Sequence, residues 1–393
     1  MKSEILPVLK NIFPALLFTL LVFVDFFQGQ WEIFYGYEDL LFLLGFKSAV
    51  LVFLAVYSLK KQKYLWLILT ALGLTYLLGY GVESFNPEHL RMFSKYLSPF
   101  IYFFGFKALL VSPIQFKILQ QTILWIIYIA LACIIFGFVF EIQGFKTYYK
   151  RFRFGYKGLF KRSIDASYFI MFSGLFAYLL KDQIKRPLIL VFLITVAAFL
   201  IGTKLPLLFG FLFVISLLFT ENLQNKNLFK IFTAVFILLG IIFFFISDKL
   251  KETIQLFRDI YHKEGILSSI TSYRSDLLVD AYNFYSEKWS WNNYLFGGKI
   301  KNQALVEMSI PDLIIFFGIF GGMLYLFFYY QTYFRNLNLR FKYFFLLIIF
   351  CSLLGGQFFF NPTVTLWFSA LILFVQKADF LKNKKLIFEE EKD

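Results

Sequence analysis

Apolar runs long enough to cross a hydrocarbon core of about 30 Å recur along this chain near residues 10 to 27, 38 to 58, 64 to 82, 96 to 112 and 119 to 140. Further runs follow near residues 166 to 180, 187 to 201, 204 to 220, 228 to 247, 310 to 331, 341 to 357 and 363 to 376. In hydrocarbon each backbone polar group needs a partner within its own segment, so every run predicts a helix. The expectation is an all-α polytopic membrane protein with about twelve transmembrane helices, forming one integral membrane domain over residues 1–393. The runs flanking Gly202-Thr203-Lys204 are short and their turn is tiny, so a re-entrant pair competes there with two full spans. Lys2 to Lys10 precedes the first run without a small-residue cleavage pattern, which predicts an uncleaved anchor.

Charge sorts the remaining function classes. The formal net charge is +14, but the cations sit in short loops between apolar runs and make no basic face, which argues against nucleic acid. Cys133 and Cys351 fall inside apolar runs and read as small hydrophobes. His89 and His262 lie in different loops without cysteine or histidine spacing around them, so a protein metal site is not expected. No phosphate loop of the Walker type, nucleophile elbow or dinucleotide fingerprint is present, and no cofactor is implied.

Lys and Arg in short loops predict orientation. Lys60, Lys61 and Lys63 mark one loop, Lys181, Lys185 and Arg186 a second, Lys226 and Lys230 a third, and Arg335, Arg340 and Lys342 a fourth. With an even number of spans these share a side with both termini, the C-terminal tail carrying Lys377, Lys382, Lys384 and Lys385. That side is expected to be the cytoplasm, in a multi-pass protein of a bacterial cytoplasmic membrane. The two longest connections, 141–165 and 248–309, then face outward. The first carries Lys146, Lys150, Arg151, Arg153, Lys157, Lys161 and Arg162 against the usual bias, which suggests a bound anion. In the second, Leu250, Ile254, Phe257 and Tyr261 recur at helical spacing. Leu277, Leu278, Ala281, Tyr282, Phe284, Tyr285 and Trp289 form another such face, with Ser272 or Ser275 as N-cap. Both predict amphipathic helices at the membrane surface.

Four motifs carry the chemistry. Gly155-Tyr156-Lys157-Gly158 leads to Lys161-Arg162 at a helix entry, where cations and exposed backbone N–H groups can hold a phosphate or a lipid headgroup. Arg162 is the foremost candidate, with Arg153, Lys157 and Lys161 in support. Lys204, between apolar half-runs, either faces a partner or snorkels to the interface. Arg274 can grip a diphosphate, or pair structurally with Asp276 or Asp280. Glu307 precedes an apolar span and can act as general base for a hydroxyl, or merely balance a helix dipole; Asp312 follows it as a substrate-facing residue. Tyr273, Tyr282 and Trp289 suit stacking on sugar faces and interfacial anchoring equally. Gly318, Gly321 and Gly322 are expected to permit close helix packing.

Taken in order, Gly155-Tyr156-Lys157-Gly158-Leu159 with Ser167, Gly202-Thr203-Lys204, Arg274, and Glu307 to Gly322 resemble the O-antigen polymerase and ligase superfamily of bacterial envelope glycan assembly, across roughly the C-terminal two thirds of the chain. The resemblance implies a metal-independent glycosyltransferase that takes a glycan from an undecaprenyl-diphosphate-linked oligosaccharide outside the cytoplasmic membrane, with the lipid bilayer and a chain-length regulator as further partners. Arg274, Arg162 and Lys204 would hold the diphosphate and Glu307 would accept the proton. Where ligases of this group carry a His-Asn pair, this chain has Glu307-Met308, which favours the polymerase branch. Neither Arg162 nor Arg274 is followed by glycine at the Arg-x10-Gly spacing of some polymerases. The rival readings are a ligase acting on a lipid A core or protein, and a flippase for the same lipid-linked glycan.

Overall fold

The computed structural model describes residues 2–35, 41–148, 154–181, 183–184, 186–220, 255, 258–259, 261–263, 265, 268, 273–298 and 306–390. Its α-helices, in chain order, are α1 (Lys2–Tyr35), α2 (Leu41–Leu59), α3 (Lys63–Tyr80), α4 (Pro87–Leu109), α5 (Pro113–Val139), α6 (Ser163–Leu179), α7 (Pro187–Leu200) and α8 (Lys204–Thr220). Then follow α9 (Arg274–Lys288), α10 (Trp291–Phe296), α11 (Ser309–Tyr333), α12 (Leu339–Gly355) and α13 (Pro362–Glu390). A helix occupies every apolar run except 228–247, which lies outside the described residues.

Among the described residues, five segments are long and apolar enough to cross a membrane: Val8–Glu32, Phe42–Leu59, Lys63–Tyr80, Pro113–Val139 and Ser309–Tyr333. Shorter apolar helices cover Ser163–Leu179, Ile189–Leu200, Lys204–Phe213, Phe341–Leu353 and Pro362–Lys377. Phe23, Trp66, Trp125 and Phe211 on these helices are more than half exposed, the outward apolar face of a multi-pass membrane protein. The 14 residues of α7 rise only about 21 Å, short of a hydrocarbon core.

The chain divides into two compact units, Met1–Ala49 with Leu110–Asp259 and Val50–Leu109 with Ile260–Asp393. In the first, α1 packs on α5, α5 on α7, and α6 on α7 and α8. Ser112 caps α5 reciprocally: its hydroxyl accepts from Gln115 N–H, and Gln115 Oε1 accepts from Ser112 N–H at 2.8 Å. Opposite charges inside two apolar helices meet, the Lys47 ammonium of α2 on Asp25 of α1, with Gln28 Oε1 accepting at 2.9 Å.

In the second unit α4 packs on α13, and α3 and α10 pack on α11. Pro99 lies inside α4 and has no N–H for the Lys95 carbonyl; Ser98 Oγ donates to it instead, at 2.7 Å. Tyr325 Oη donates to the Tyr96 carbonyl at 3.1 Å, and Tyr333 Oη to that of Pro99 at 2.7 Å, fixing α11 against the proline bend.

Candidate functional site

In the second unit α9 begins at Arg274, directly after Tyr273 in the left-handed conformation (φ +68°). The cap expected from Ser275 is therefore corrected: that serine is the second residue of the helix, and Ser272 lies outside the described residues. Ser268 Oγ donates to Asp276 Oδ1 at 2.9 Å, tying the helix start to the preceding segment. Ala281 and Tyr285 are buried, with Phe284 and Trp289 packed beside them, whereas Leu277, Leu278 and Tyr282 face outward. Trp289 meets Tyr285 and Tyr294 at 4.8 and 5.4 Å between centroids, so its half-buried ring packs within the protein. Tyr273 and Tyr282, 42% and 71% exposed, remain accessible.

Arg274 Nε stands 3.8 Å from Glu307 Oε2. That distance is an ion pair without a hydrogen bond, and the side chains are 23% and 52% exposed. Such a pair contributes about 0–1 kcal/mol. Glu307 itself adopts φ +57°, which costs a non-glycine residue on the order of 1–3 kcal/mol. The attraction does not offset the strain, so the ion pair alone does not explain the conformation of Glu307.

The surrounding chain imposes that conformation. Asp312 Oδ1 accepts the Val306 N–H at 2.7 Å. On the other side, Gly356 (φ +70°) lies so close that a Cβ there would sit 1.7 Å from the Glu307 carbonyl oxygen. Helix α11 starts at Ser309, two residues after Glu307, and its first-turn acid is Asp312. The dipole-balancing role considered for Glu307 thus falls to Asp312. Asp312 is fully buried, and its Oδ2 has no partner among the described residues. Further along, Gly318 (φ +70°, ψ −177°) interrupts α11; a Cβ there would lie 2.4 Å from the Leu295 oxygen, so this glycine does serve close packing.

In the first unit two glycine motifs lock together. A Cβ on Gly202 would lie 2.3 Å from the Phe154 oxygen, and one on Gly155 2.4 Å from the Ile201 oxygen. Tyr156 N–H donates to the Leu200 carbonyl at 2.7 Å, and Ser167 and Thr203 hydroxyls meet at 2.7 Å. Segments 46 residues apart in sequence thus form one backbone structure. Lys157 is 8% exposed, and its ammonium donates to the Lys161 carbonyl. Lys161 pairs with Glu32 of α1 at 3.1 Å. Both ammonium groups, expected to face a phosphate, meet oxygens of the protein itself. Among the described residues, Arg162, at the N-cap position of α6, and Lys204, opening α8, are exposed. A cation at a helix N-terminus opposes the dipole, so helix stability does not account for Lys204. Arg153 lies outside the described residues. Arg162 and Lys204 belong to the first unit, Arg274, Glu307 and Asp312 to the second.

Burial pushes the Lys157 ammonium below its ordinary range, partly opposed by Glu32 and Asp165. The unfolded chain then binds more protons than the folded one, so stability rises as pH climbs toward the ordinary lysine value of 10.5. Wild-type protein is expected to gain thermal stability between neutral and alkaline pH, and Lys157→Met to show a smaller gain. Parallel melting curves for the two proteins across that range would remove Lys157 as the cause.

Sequence reasoning passed over Asp25, Gln28 and Lys47, although isolated opposite charges in consecutive apolar runs were the available signal. The chain matches no protein-family model, no curated protein and no solved structure.

Proposed function

We propose that this chain is a polysaccharide polymerase that joins undecaprenyl-diphosphate-linked repeat units by glycosyl transfer on the outer face of a bacterial cytoplasmic membrane, with both termini in the cytoplasm. The observation that carries the reading is the Arg274–Glu307 pair at 3.8 Å, with Glu307 held at φ +57°. The acceptor hydroxyl oxygen attacks the anomeric carbon of the donor sugar, and the bond from that carbon to the diphosphate oxygen breaks. Glu307 takes the hydroxyl proton. The departing polyprenyl diphosphate carries the bonding electrons, and its charge is stabilised by Arg274. Because their ion pair is loose and partly exposed, a diphosphate can enter and take over the guanidinium, freeing the carboxylate to act as base.

Purified protein in detergent, given lipid-linked repeats, is expected to elongate them without a second compartment. Glu307→Gln should lower turnover by about 10²- to 10⁴-fold with KM little changed, the range of general-base loss. Unchanged turnover across a pH series would leave Glu307 a purely structural residue. The interruption of α11 at Gly318 favours a second reading, a transporter of the same glycan, since broken helices recur at transport sites. Elongation in detergent separates the two, because transport alone leaves every repeat at its starting length.

A further inference from the structure

We propose that the second unit holds the phosphate of an anionic phospholipid where the α2–α3 turn, the last turn of α4 and the C-terminal end of α11 meet, with Lys63, Lys107 and Arg335 supplying the charge. Contacts bring these three ends together. Lys61 Nζ donates to the Ala108 carbonyl at 3.2 Å and to Tyr57 Oη at 2.8 Å, which sets the turn against the end of α4 beside Lys107. The Tyr64 ring, in the first turn of α3, lies 6.2 Å from that of Phe104 on α4 and 6.1 Å from that of Phe328 on α11. Arg335 acts electrostatically on Tyr64, and Phe103 of α4 meets Tyr333 of α11 at 5.1 Å between centroids. Lys60, Lys61, Lys63, Lys107 and Arg335 are all exposed.

The charge gathered there has no counterpart in the neighbouring chain. Residues 50–82, 89–109 and 313–378 contain no Asp or Glu, and among the described residues none of the five cations meets a carboxylate. Membrane orientation accounts for Lys and Arg on one side, but it is nearly blind to Asp and Glu and does not explain why acids are missing. Capping the end of α4 accounts for Lys61 alone. Lys63 opens α3, where a cation opposes the helix dipole and an anion is favoured, and Gln62 gives that helix no side-chain cap. An anion from outside the chain accounts for the set. Its place in the fold selects the kind: Lys60, Lys61 and Lys63 stand at the junction of the apolar segments Phe42–Leu59 and Lys63–Tyr80, and Arg335 follows Ser309–Tyr333 by two residues, so all lie at headgroup depth. Toward the hydrocarbon from them, Phe53 and Val56 of α2, Trp66 and Leu67 of α3, and Phe327 and Tyr330 of α11 face outward. Acyl chains cover that apolar surface while the phosphate meets the cations, whereas a soluble anion would use the charge alone.

Full-length protein in phosphatidylcholine nanodiscs is given a trace of photoreactive phosphatidylglycerol or of photoreactive phosphatidylcholine, and the cross-linked peptides are mapped. One near-surface cation is worth about fivefold in binding, so phosphatidylglycerol is expected to label residues 53–67 and 327–335 at least about tenfold more than phosphatidylcholine does. Lys107→Gln combined with Arg335→Gln should bring that preference below about fivefold, while Lys288→Gln, an exposed cation on α9, leaves it unchanged. Raising the salt concentration should erase the preference in wild type, a readout that needs no variant and so holds even where the double variant fails to fold. Equal labelling by the two lipids, a preference that ignores salt, or one that survives in a folded double variant would overturn the proposal. Loss of the preference in Lys288→Gln as well would overturn it in favour of diffuse surface charge, and competition by excess inorganic phosphate would overturn it in favour of a soluble anion.

Discussion

Cells carrying Arg274→Ala are expected to insert the protein at normal levels, to make no long polymer and to accumulate lipid-linked single repeats. The two halves of that result follow from different magnitudes. The Arg274–Glu307 pair is loose and partly exposed, so its loss costs the fold about 0–1 kcal/mol. A preorganised donor aimed at developing charge is worth about 10²- to 10³-fold in rate, because it strengthens in the transition state and is already in place. Removing the guanidinium therefore strikes turnover far harder than the loss of this pair weakens the fold. Arg274→Lys sharpens the test, since it keeps the charge and loses the planar fork. It should recover part of the lost rate and less than the whole. Normal polymer length in Arg274→Ala, measured on protein shown by blotting to be present in the membrane, removes Arg274 from the mechanism and leaves the ion pair as a surface contact.

How far the sequence reaches can be judged residue by residue. Each described helix of the apolar series coincides with a run of the sequence, because a segment in hydrocarbon must satisfy its own backbone and so announces itself by hydropathy. Gly155 and Gly202 stand out as residues, but nothing in one chain says that Gly155 lies against the Ile201 carbonyl and Gly202 against that of Phe154, contacts that span 46 and 48 positions. Charge did not disclose the partners of Lys157 and Lys161. A basic loop suggested an external anion, whereas the partners are a backbone carbonyl within the loop and Glu32, more than a hundred residues earlier. Arg274 and Glu307 were legible as chemistry, being a cation and a carboxylate in one long connection. Their conformation was not, since the left-handed backbone at Glu307 is imposed by Val306–Asp312 hydrogen bonding and by a glycine 49 residues on.

Gly356→Ala is expected to abolish elongation although residue 356 makes no chemical contribution of its own. Its φ of +70° already disfavours a side chain by about 1–3 kcal/mol. The added Cβ would fall 1.7 Å from the Glu307 carbonyl oxygen and 2.5 Å from the carbonyl carbon, far inside van der Waals contact. Both obstructing atoms are backbone, so no side-chain rotation relieves the clash. Either the end of α12 unwinds or the 306–308 segment retreats, and the second course draws Glu307 away from Arg274. A displacement of about 1 Å at a reacting group costs on the order of 10²-fold in rate. The control is Gly322→Ala in the same unit, where the new Cβ meets its nearest neighbour at 3.7 Å, an ordinary contact, and helix propensity improves. Elongation per milligram of monodisperse protein is expected to collapse for Gly356→Ala and to stay near wild type for Gly322→Ala, with the apparent melting temperature of Gly356→Ala lowered. Equal rates for the two variants would mean that the glycine does not hold Glu307 against Arg274, and the constellation on which the glycosyl-transfer reading depends would lose its scaffold.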